Sequence, residues 1–520
     1  MLLVTAEEMR ELDRRTIESG VAGLELMERA GAGVVEAMAR RYGPLLGMRV
    51  LVLSGPGNNG GDGFVAARHL REGGAAVMVG LLAAPDRLRG DARAQWERAR
   101  AEGLDVTVIG DEPALRKLAA RFDRWDFALD ALLGTGARGG LEGVLAEGVQ
   151  LLRELDEAGT RVVAVDLPTG LDADTGGMAR RTVRADLTVT FGAPKRGHYL
   201  YPGRAFVGPL EVVDIGLVHR ASEGRRWQVE LATAASLASL IPGRDPRAHK
   251  NSAGRVVVIG GSAGMTGAVA LAAHSATRAG AGYVLAGVPA GLMDVYAVKL
   301  LEELPRPLPE RPPHVLCAES VAPALALAES AHAVVMGPGL TRVSHAEQFA
   351  RAFVQGCARP LVLDADGLNA FAGQADLLAK TRAPIVVTPH LGEMSRLAGV
   401  DARELEPTRI EAAREWAARW NVVVVLKGAP TVTAAPDGRA TVNPTGNSGM
   451  ATAGMGDVLS GAIAALIAQG LEPYDAARIA VWVHGTAGDR AAAEIGARGI
   501  CASDVLERLP RALNLLLVEG

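Results

Sequence analysis

Thr445-Gly446-Asn447-Ser448-Gly449-Met450-Ala451-Thr452-Ala453-Gly454-Met455-Gly456-Asp457-Val458-Leu459-Ser460-Gly461 decides how this chain reads. Glycines and small residues lead into an apolar helical pattern, Val458 to Ala468, with an aspartate at its start. Glycines let the backbone turn tightly and present its N–H groups, and a helix N-terminus adds partial positive charge. Such a segment is a cradle for phosphate oxygens. A carboxylate is repelled by phosphate, so its economical role there is chemical. It serves as a general base that takes a proton from a hydroxyl attacking a phosphoryl group. The plainer alternative is a glycine-rich loop capped by Asp.

Other segments gather around this cradle at the ends of β-rich runs. They are Gly337-Pro338-Gly339, Asp364-Ala365-Asp366, Thr388-Pro389-His390-Leu391-Gly392-Glu393-Met394-Ser395-Arg396 and Lys427-Gly428-Ala429-Pro430-Thr431. In a doubly wound sheet, strand C-termini share the edge where ligands bind. Lys427 can pair with phosphate there. No Walker sequence is present, which excludes a P-loop enzyme at motif level. Asp364 and Asp366 are read as helix caps or as indirect Mg²⁺ positioners. His390 reads as a substrate contact or a structural residue, and His484 as a structural one.

Upstream, the chain alternates strand-like runs with helical periodicity, again an α/β pattern. Expected strands are 49–54, 76–82, 106–109, 127–130, 161–166, 187–191 and 210–214, then 255–260, 333–336, 360–364, 384–388 and 422–426. Thr5 and Glu8 form a capping box for a first helix. The second helix carries Leu24, Met27, Val34, Val35 and Met38 on one stripe. The rhythm fails between Leu217 and Lys250, which marks a domain boundary. The prolines Pro305, Pro307, Pro309, Pro312 and Pro313 read as a loop.

Gly55-Pro56-Gly57-Asn58-Asn59-Gly60-Gly61-Asp62-Gly63 follows a strand and formally contains G-x-G-x-x-G. The acidic residue that should end the next strand and hold a ribose is missing; Leu81-Leu82-Ala83-Ala84 stands there. A redox nicotinamide site is therefore weakly supported, but a phosphate or dinucleotide cradle remains. Asp130 and Asp166 end two further strands, before Gly134-Thr135-Gly136 and Pro168-Thr169-Gly170. Asn59, Asp130 and Thr169 could meet and offer hard oxygens to a cation.

With 520 residues, two or three domains are expected. The net charge of −4 and 4% aromatics disfavour nucleic-acid binding. Three scattered cysteines, Cys317, Cys357 and Cys501, form neither a disulfide framework nor a zinc site. No apolar run approaches membrane length. The expectation is a cytoplasmic protein that binds small molecules, self-associates into a homo-oligomer and contacts neither nucleic acid nor membrane.

Taken together and in this order, these motifs resemble the bifunctional NAD(P)H-hydrate repair family, an epimerase fused to an ADP- or ATP-dependent dehydratase. The resemblance covers nearly the whole chain. It implies a Rossmann-like three-layer epimerase domain over 1–218 and a ribokinase-like α/β dehydratase domain over 225–518. By resemblance, Asn58, Asn59, Gly60, Gly61, Asp62, the loop Gly134, Thr135, Gly136, Ala137, Arg138, Gly139 and Gly140, and Asp166 bind the hydrated dinucleotide. K⁺ would be held by Asn59, Asp130 and Thr169, the last often Ser in the family. Asp166 is the candidate acid–base of epimerisation.

In the second domain Gly339, His390, Leu391, Gly392, Glu393, Met394, Ser395, Arg396 and Asp457 would hold the hydrate. Lys427, Gly428, Ala429, Pro430 and Thr431 would bind ADP or ATP. So would Asn447, Ser448, Gly449, Met450, Ala451, Thr452, Ala453, Gly454, Met455 and Gly456. Asp457 would be the base and Mg²⁺ would neutralise the transferring phosphoryl group. Two rivals remain at this stage: a kinase of a small vitamin-precursor alcohol with a regulatory N-terminal half, and a non-catalytic N-terminal binding or scaffold module.

Overall fold

Strand Arg49–Ser54 sends Val50 and Val52 into one apolar cluster and Leu51 and Leu53 into another. That alternation places a sheet between two layers of helices. The computed structural model, which describes residues 1–136, 141–218 and 228–519, divides into two compact units. One comprises Leu2–Trp227, the other Gln228–Gly520 together with Met1.

The first unit holds one parallel seven-stranded sheet. Its spatial order is Val106–Val108, Ala76–Leu81, Arg49–Ser54, Phe127–Ala131, Arg161–Val165, Leu187–Phe191, Leu210–Val213. This is a Rossmann-like winding. Its direction reverses between Arg49–Ser54 and Phe127–Ala131, where Leu53 pairs with Asp130. The crevice at such a reversal is the natural ligand site.

Helix Ala6–Glu18 begins at the expected capping box, Thr5 with Glu8. Helix Gly23–Tyr42 buries Leu26, Met27, Val34 and Met38, whereas Leu24 is 41% exposed. The expected stripe was therefore misplaced at its start: Leu24 lies in the first turn, two residues before the chain reaches the core.

The second unit's ten-stranded sheet runs Leu304–Leu308, Tyr283–Pro289, Arg255–Ile259, Ala333–Met336, Leu361–Leu363, Ile385–Val387, Val423–Leu426, Thr431–Ala434, Ala440–Asn443, Val229–Leu231. It is parallel as far as Val423–Leu426, and Thr431–Ala434 is antiparallel to both of its neighbours. The winding is ribokinase-like, reversing between Arg255–Ile259 and Ala333–Met336.

The proline cluster is not all loop, because Pro305 and Pro307 lie in the edge strand Leu304–Leu308. Two residues apart, their missing N–H groups fall on the same side, and at an edge that side needs no partner. Helix Met455–Ala468 buries every residue from Val458 to Ala468, so it is a core element and not an amphipathic one. Among the described residues no helix is long and apolar enough to cross a membrane.

Candidate functional site

The first site lies at the reversal of the N-terminal sheet. Gly55 and Gly60 make the close approach possible. A Cβ on Gly55 would sit 1.8 Å from the Leu132 carbonyl oxygen, and one on Gly60 2.0 Å from that of Gly55. Asn58 to Asp62 form the first turn of helix Asn58–Glu72, so they are a helix N-terminus and not a free loop. Asn59 is 7% exposed, and neither its Oδ1 nor its Nδ2 has a hydrogen-bond partner among the described residues. A buried amide left in this way is costly unless a ligand completes it.

Asp130 is fully buried beside it. Its carboxylate accepts the Thr169 N–H and Oγ1–H, each at 2.7 Å, and the Leu132 N–H at 3.3 Å. Burial pushes its pKa up to about 6 despite those bonds. An alkali cation would reverse that shift. Asn59 Oδ1, Asp130 and Thr169 Oγ1 are the hard oxygens such an ion requires, and the orphaned Asn59 is the observation that fits one.

Asp166 stands at the next strand end with φ of 65°, an unusual conformation that Asp tolerates and that is often found at functional sites. Lys195, 1% exposed, donates to Asp166 Oδ1 at 2.5 Å and to Thr190 Oγ1 at 2.8 Å. Thr190 Oγ1 donates to the same carboxylate oxygen at 2.9 Å. Burial pushes Asp166 up, but the Lys195 ammonium outweighs it and holds the carboxyl below its ordinary range. His198 accepts the Lys195 N–H on Nδ1, so its Nε2 donates to the Asp166 carbonyl at 2.9 Å. Burial and Lys195 drive this imidazole down to about 3, which keeps it neutral.

A cavity of about 440 Å³ joins these groups and is lined also by Asp13, Asn58, Asp62, Gly134, Thr135 and Gly136. A neighbouring depression of about 990 Å³ shares Leu133 and Gly134 with it and extends to Arg180 and Arg181. Ala137, Arg138, Gly139 and Gly140 lie outside the described residues.

The second site centres on Lys427. Its Nζ lies 3.0 Å from Asp364 Oδ1 and 3.8 Å from Glu393 Oε2. Gly456 packs directly on the ammonium; a Cβ there would approach Nζ to 3.0 Å. The lysine thus lies under the N-terminus of helix Met455–Ala468, and two positive features share one place. Asp457 occupies the third position of that helix, half-buried. Burial pushes its pKa up to about 7; Asp364 and Glu393 add to the shift and Lys427 opposes it. Glu393 also rises to about 7, through burial and Asp364 against Lys427. Burial pulls Lys427 down, but the carboxylates outweigh it and hold it above its ordinary value.

His390 is the N-cap of helix Leu391–Ala398. It accepts the Gly392 N–H on Nδ1 at 3.0 Å, while Glu393 returns to the His390 N–H at 2.8 Å. Arg396 is exposed and bonds Asn369, which holds Asp366 in turn. Met394 is wholly buried in the core and Ser395 bonds the Val400 carbonyl. Of these two expected contacts, Met394 could reach a ligand only through its backbone, because its side chain is fully buried.

Asn447 opens a short turn, Ser448–Met450, ahead of the exposed Ala451, Thr452 and Ala453. Gly454 caps the following helix at φ 89°, and Met455 is buried under it. Asp364 is fully buried and its carboxylate caps nothing; it serves Lys427. His484 is buried within helix Pro473–Ile495 and bonds the Met455 backbone, while its Nε2 has no hydrogen-bond partner among the described residues.

Four residues escaped the sequence reading. Lys195 follows the strand Leu187–Phe191, so the strand-end rule that found Asp166 would have found it too. Asp13 sits inside a helix, where sequence gives no signal. Arg409 donates to the Pro430 carbonyl at 3.0 Å and braces the 427–430 turn, and Asp489 accepts the Gly446 N–H and the Asn447 amide, each at 2.9 Å.

The sheet-reversal glycine of this unit gives a direct test. A Cβ on Gly337 would lie 1.9 Å from the Asp364 carbonyl oxygen, at φ 125°. Gly337→Ala is expected to lose about 1–3 kcal/mol from backbone strain alone. It should also displace Asp364 from Lys427. Urea unfolding will show the loss, and unchanged stability would contradict the close packing described.

Residues 256–511 match the family model described as NAD(P)H-hydrate dehydratase, and residues 23–197 match that of the YjeF-related protein N-terminus. A bifunctional NAD(P)H-hydrate repair enzyme of Moorella thermoacetica is 42% identical over 521 residues, 100% of this chain and 98% of that protein. The same-named protein of Thermofilum pendens is 40% identical over 99% of this chain and 97% of its own. The crystal structure of an ADP/ATP-dependent NAD(P)H-hydrate dehydratase from Bacillus subtilis, co-crystallised with ATP/Mg²⁺, is 30% identical with a TM-score of 0.48. It spans 55% of this chain and 99% of its own. With both family models matched and full-length relatives at this identity, the chain belongs to the bifunctional NAD(P)H-hydrate repair enzymes.

Proposed function

We propose that the first domain (1–218) interconverts the R and S hydrates of NADH and NADPH, and that the second (225–518) dehydrates the S form using ADP or ATP. The observation that carries the dehydratase reading is Asp457, half-buried at a helix N-terminus above Lys427 with a carboxyl poised near neutral pH. A general base works best with a pKa near the operating pH.

Hydroxide leaves carbon poorly, whereas a phosphate ester leaves readily. Asp457 takes the proton of the C6 hydroxyl as its oxygen attacks the terminal phosphorus of the nucleotide. The ring nitrogen's lone pair then expels phosphate, and proton loss from the neighbouring carbon restores the double bond. Lys427 and the backbone N–H groups of the 447–456 segment hold the phosphates. Asp364 holds Lys427 in place, and Gly339, His390 and the 391–396 turn hold the hydrate. Lys427 faces Asp364, Glu393 and Asp457, an excess of negative charge that fits Mg²⁺ bound with the phosphates. Mg²⁺ supplies charge neutralisation to the transferring group.

In the epimerase the neighbouring depressions and the Asn58–Asp62 turn hold the dinucleotide. Asn59, Asp130 and Thr169 would hold K⁺, which supplies a fixed positive charge beside the substrate. The test uses purified R and S hydrates. With ADP or ATP, reduced-nicotinamide absorbance should return from S directly and from R through epimerisation. A stable phosphorylated hydrate, or no return from either form, would overturn the reading.

A further inference from the structure

The cavity of about 440 Å³ in the first domain is lined by four carboxylates, Asp13, Asp62, Asp91 and Asp166, and by two cations, Lys195 and Arg10. Lys195 is committed to Asp166 and Thr190, so Asp166 stays ionised. Asp13 is placed quite differently. It comes from helix Ala6–Glu18, whose capping box sets the register and whose Met9, Leu12 and Thr16 are buried. Asp13 is one helical turn from Met9 and half-buried, and Met9 lines the cavity with it. Its carboxyl makes no hydrogen bond or ion pair within 4 Å among the described residues. Asn59, its amide buried and unpartnered, lines the same cavity, so the space is built to receive a polar ligand.

We propose that Asp13 is a second catalytic residue of epimerisation, the proton donor that acts on the C6 hydroxyl while Asp166 acts as base. The proposal rests on the epimerase reading above. An epimerase that exchanges a hydroxyl between two faces needs one carboxyl protonated and one ionised, and this cavity separates the two states by construction. The Asp13 proton passes to the C6 oxygen as the C–O bond breaks, and the electron pair leaves with water. The ring nitrogen's lone pair forms the C=N bond of the cation. Water then adds to the opposite face, its new C–O bond returning that pair to nitrogen, and gives its proton to Asp166. The net change is one proton moved from Asp13 to Asp166, and exchange with solvent resets the pair.

Among the described residues Asp166 and Lys195 are the charged groups that face Asp13. Asp62 faces it too, but burial, Asp166 and Asp13 push that carboxyl well above its ordinary range, and Arg10 and Asp91 also line the cavity. Arg10 donates through Nε to the Ala6 carbonyl, and neutral His198 bonds the Asp166 and Lys195 backbone. Burial and Asp166 raise the Asp13 carboxyl to about 6 in spite of Lys195. A donor must be protonated, so wild-type kcat/KM for epimerisation should fall as pH rises through about 6.

The experiment follows interconversion of purified hydrates by the full chain in KCl, without nucleotide and after subtraction of the uncatalysed rate. Asp13→Asn should lower kcat at least about 100-fold with KM nearly unchanged, and should abolish the fall with rising pH. Dehydration of the S hydrate should be unaffected. Asp13→Glu should restore part of kcat with the fall displaced. Wild-type kcat in Asp13→Asn, or a raised KM with kcat kept, overturns the assignment. Should Asp13→Asn not fold, Asp13→Glu decides: a displaced pH limb supports the assignment and a wild-type profile refutes it. No interconversion by the wild type would refute the epimerase reading itself, and the assignment with it.

Discussion

Asp457→Asn lowers the dehydration rate about a thousandfold, the scale of a lost general base. The amide keeps the side chain's shape, so the fold is retained. Removing a negative charge beside the phosphates leaves nucleotide affinity intact or improves it. The pH profile separates this from a packing defect. In the wild type the base must be ionised, so the rate rises with pH through about 7, where burial, Asp364 and Glu393 have placed the Asp457 carboxyl. In Asp457→Asn that rise disappears. Interconversion of the R and S hydrates continues, because the first domain holds its own site. Titration of nucleotide by calorimetry and single-turnover dehydration at pH values on either side of about 7, where the Asp457 carboxyl titrates, check each part. A variant that dehydrates at a tenth of the wild-type rate or faster would remove Asp457 from the chemistry.

The second large effect is expected at Lys195. Lys195→Met removes the only ion-pair partner within 4 Å that the described residues give Asp166, and leaves that carboxylate in the cavity with Asp13 and Asp62. Removing one member of a buried pair costs about 3–5 kcal/mol. The sign with pH is fixed by the carboxylate. In the wild type Asp166 is depressed, so its stabilisation is present above the unfolded value near 4 and is lost as pH falls through the folded value. In Lys195→Met the unpaired carboxylate takes up a proton more readily than in the unfolded chain, so the penalty is largest at neutral pH. It fades as pH falls. The stability gap between the two proteins, read from urea unfolding of the N-terminal domain, should therefore close toward acid. A constant gap would mean that lost packing, not charge, accounts for it.

Much of this architecture is legible in the sequence because parallel strands buried on both faces are continuous apolar runs. The same runs point to the binding edge, and Asp130, Asp166, Asp364 and Lys427 were found by where strands stop. Composition masked other elements. Pro305 and Pro307 read as loop until the edge position of Leu304–Leu308 explains them. Strands Thr431–Ala434 and Ala440–Asn443 are four residues each, too short for a period to show. The site was harder. Asp13 lies in Leu12-Asp13-Arg14-Arg15, which reads as a solvated helix face; only packing turns it inward. Lys195, in Pro194-Lys195-Arg196, reads as a basic turn, although it is among the most buried charged groups.

The central claim is that the C6 hydroxyl is phosphorylated before it leaves. Hydrate prepared in ¹⁸O-water carries the label on that oxygen, and mass spectrometry of the inorganic phosphate released during dehydration locates it. Attack by the hydroxyl on phosphorus predicts one ¹⁸O atom in each phosphate. Unlabelled phosphate, with the isotope recovered in water, would contradict the account and leave Asp457 without its role.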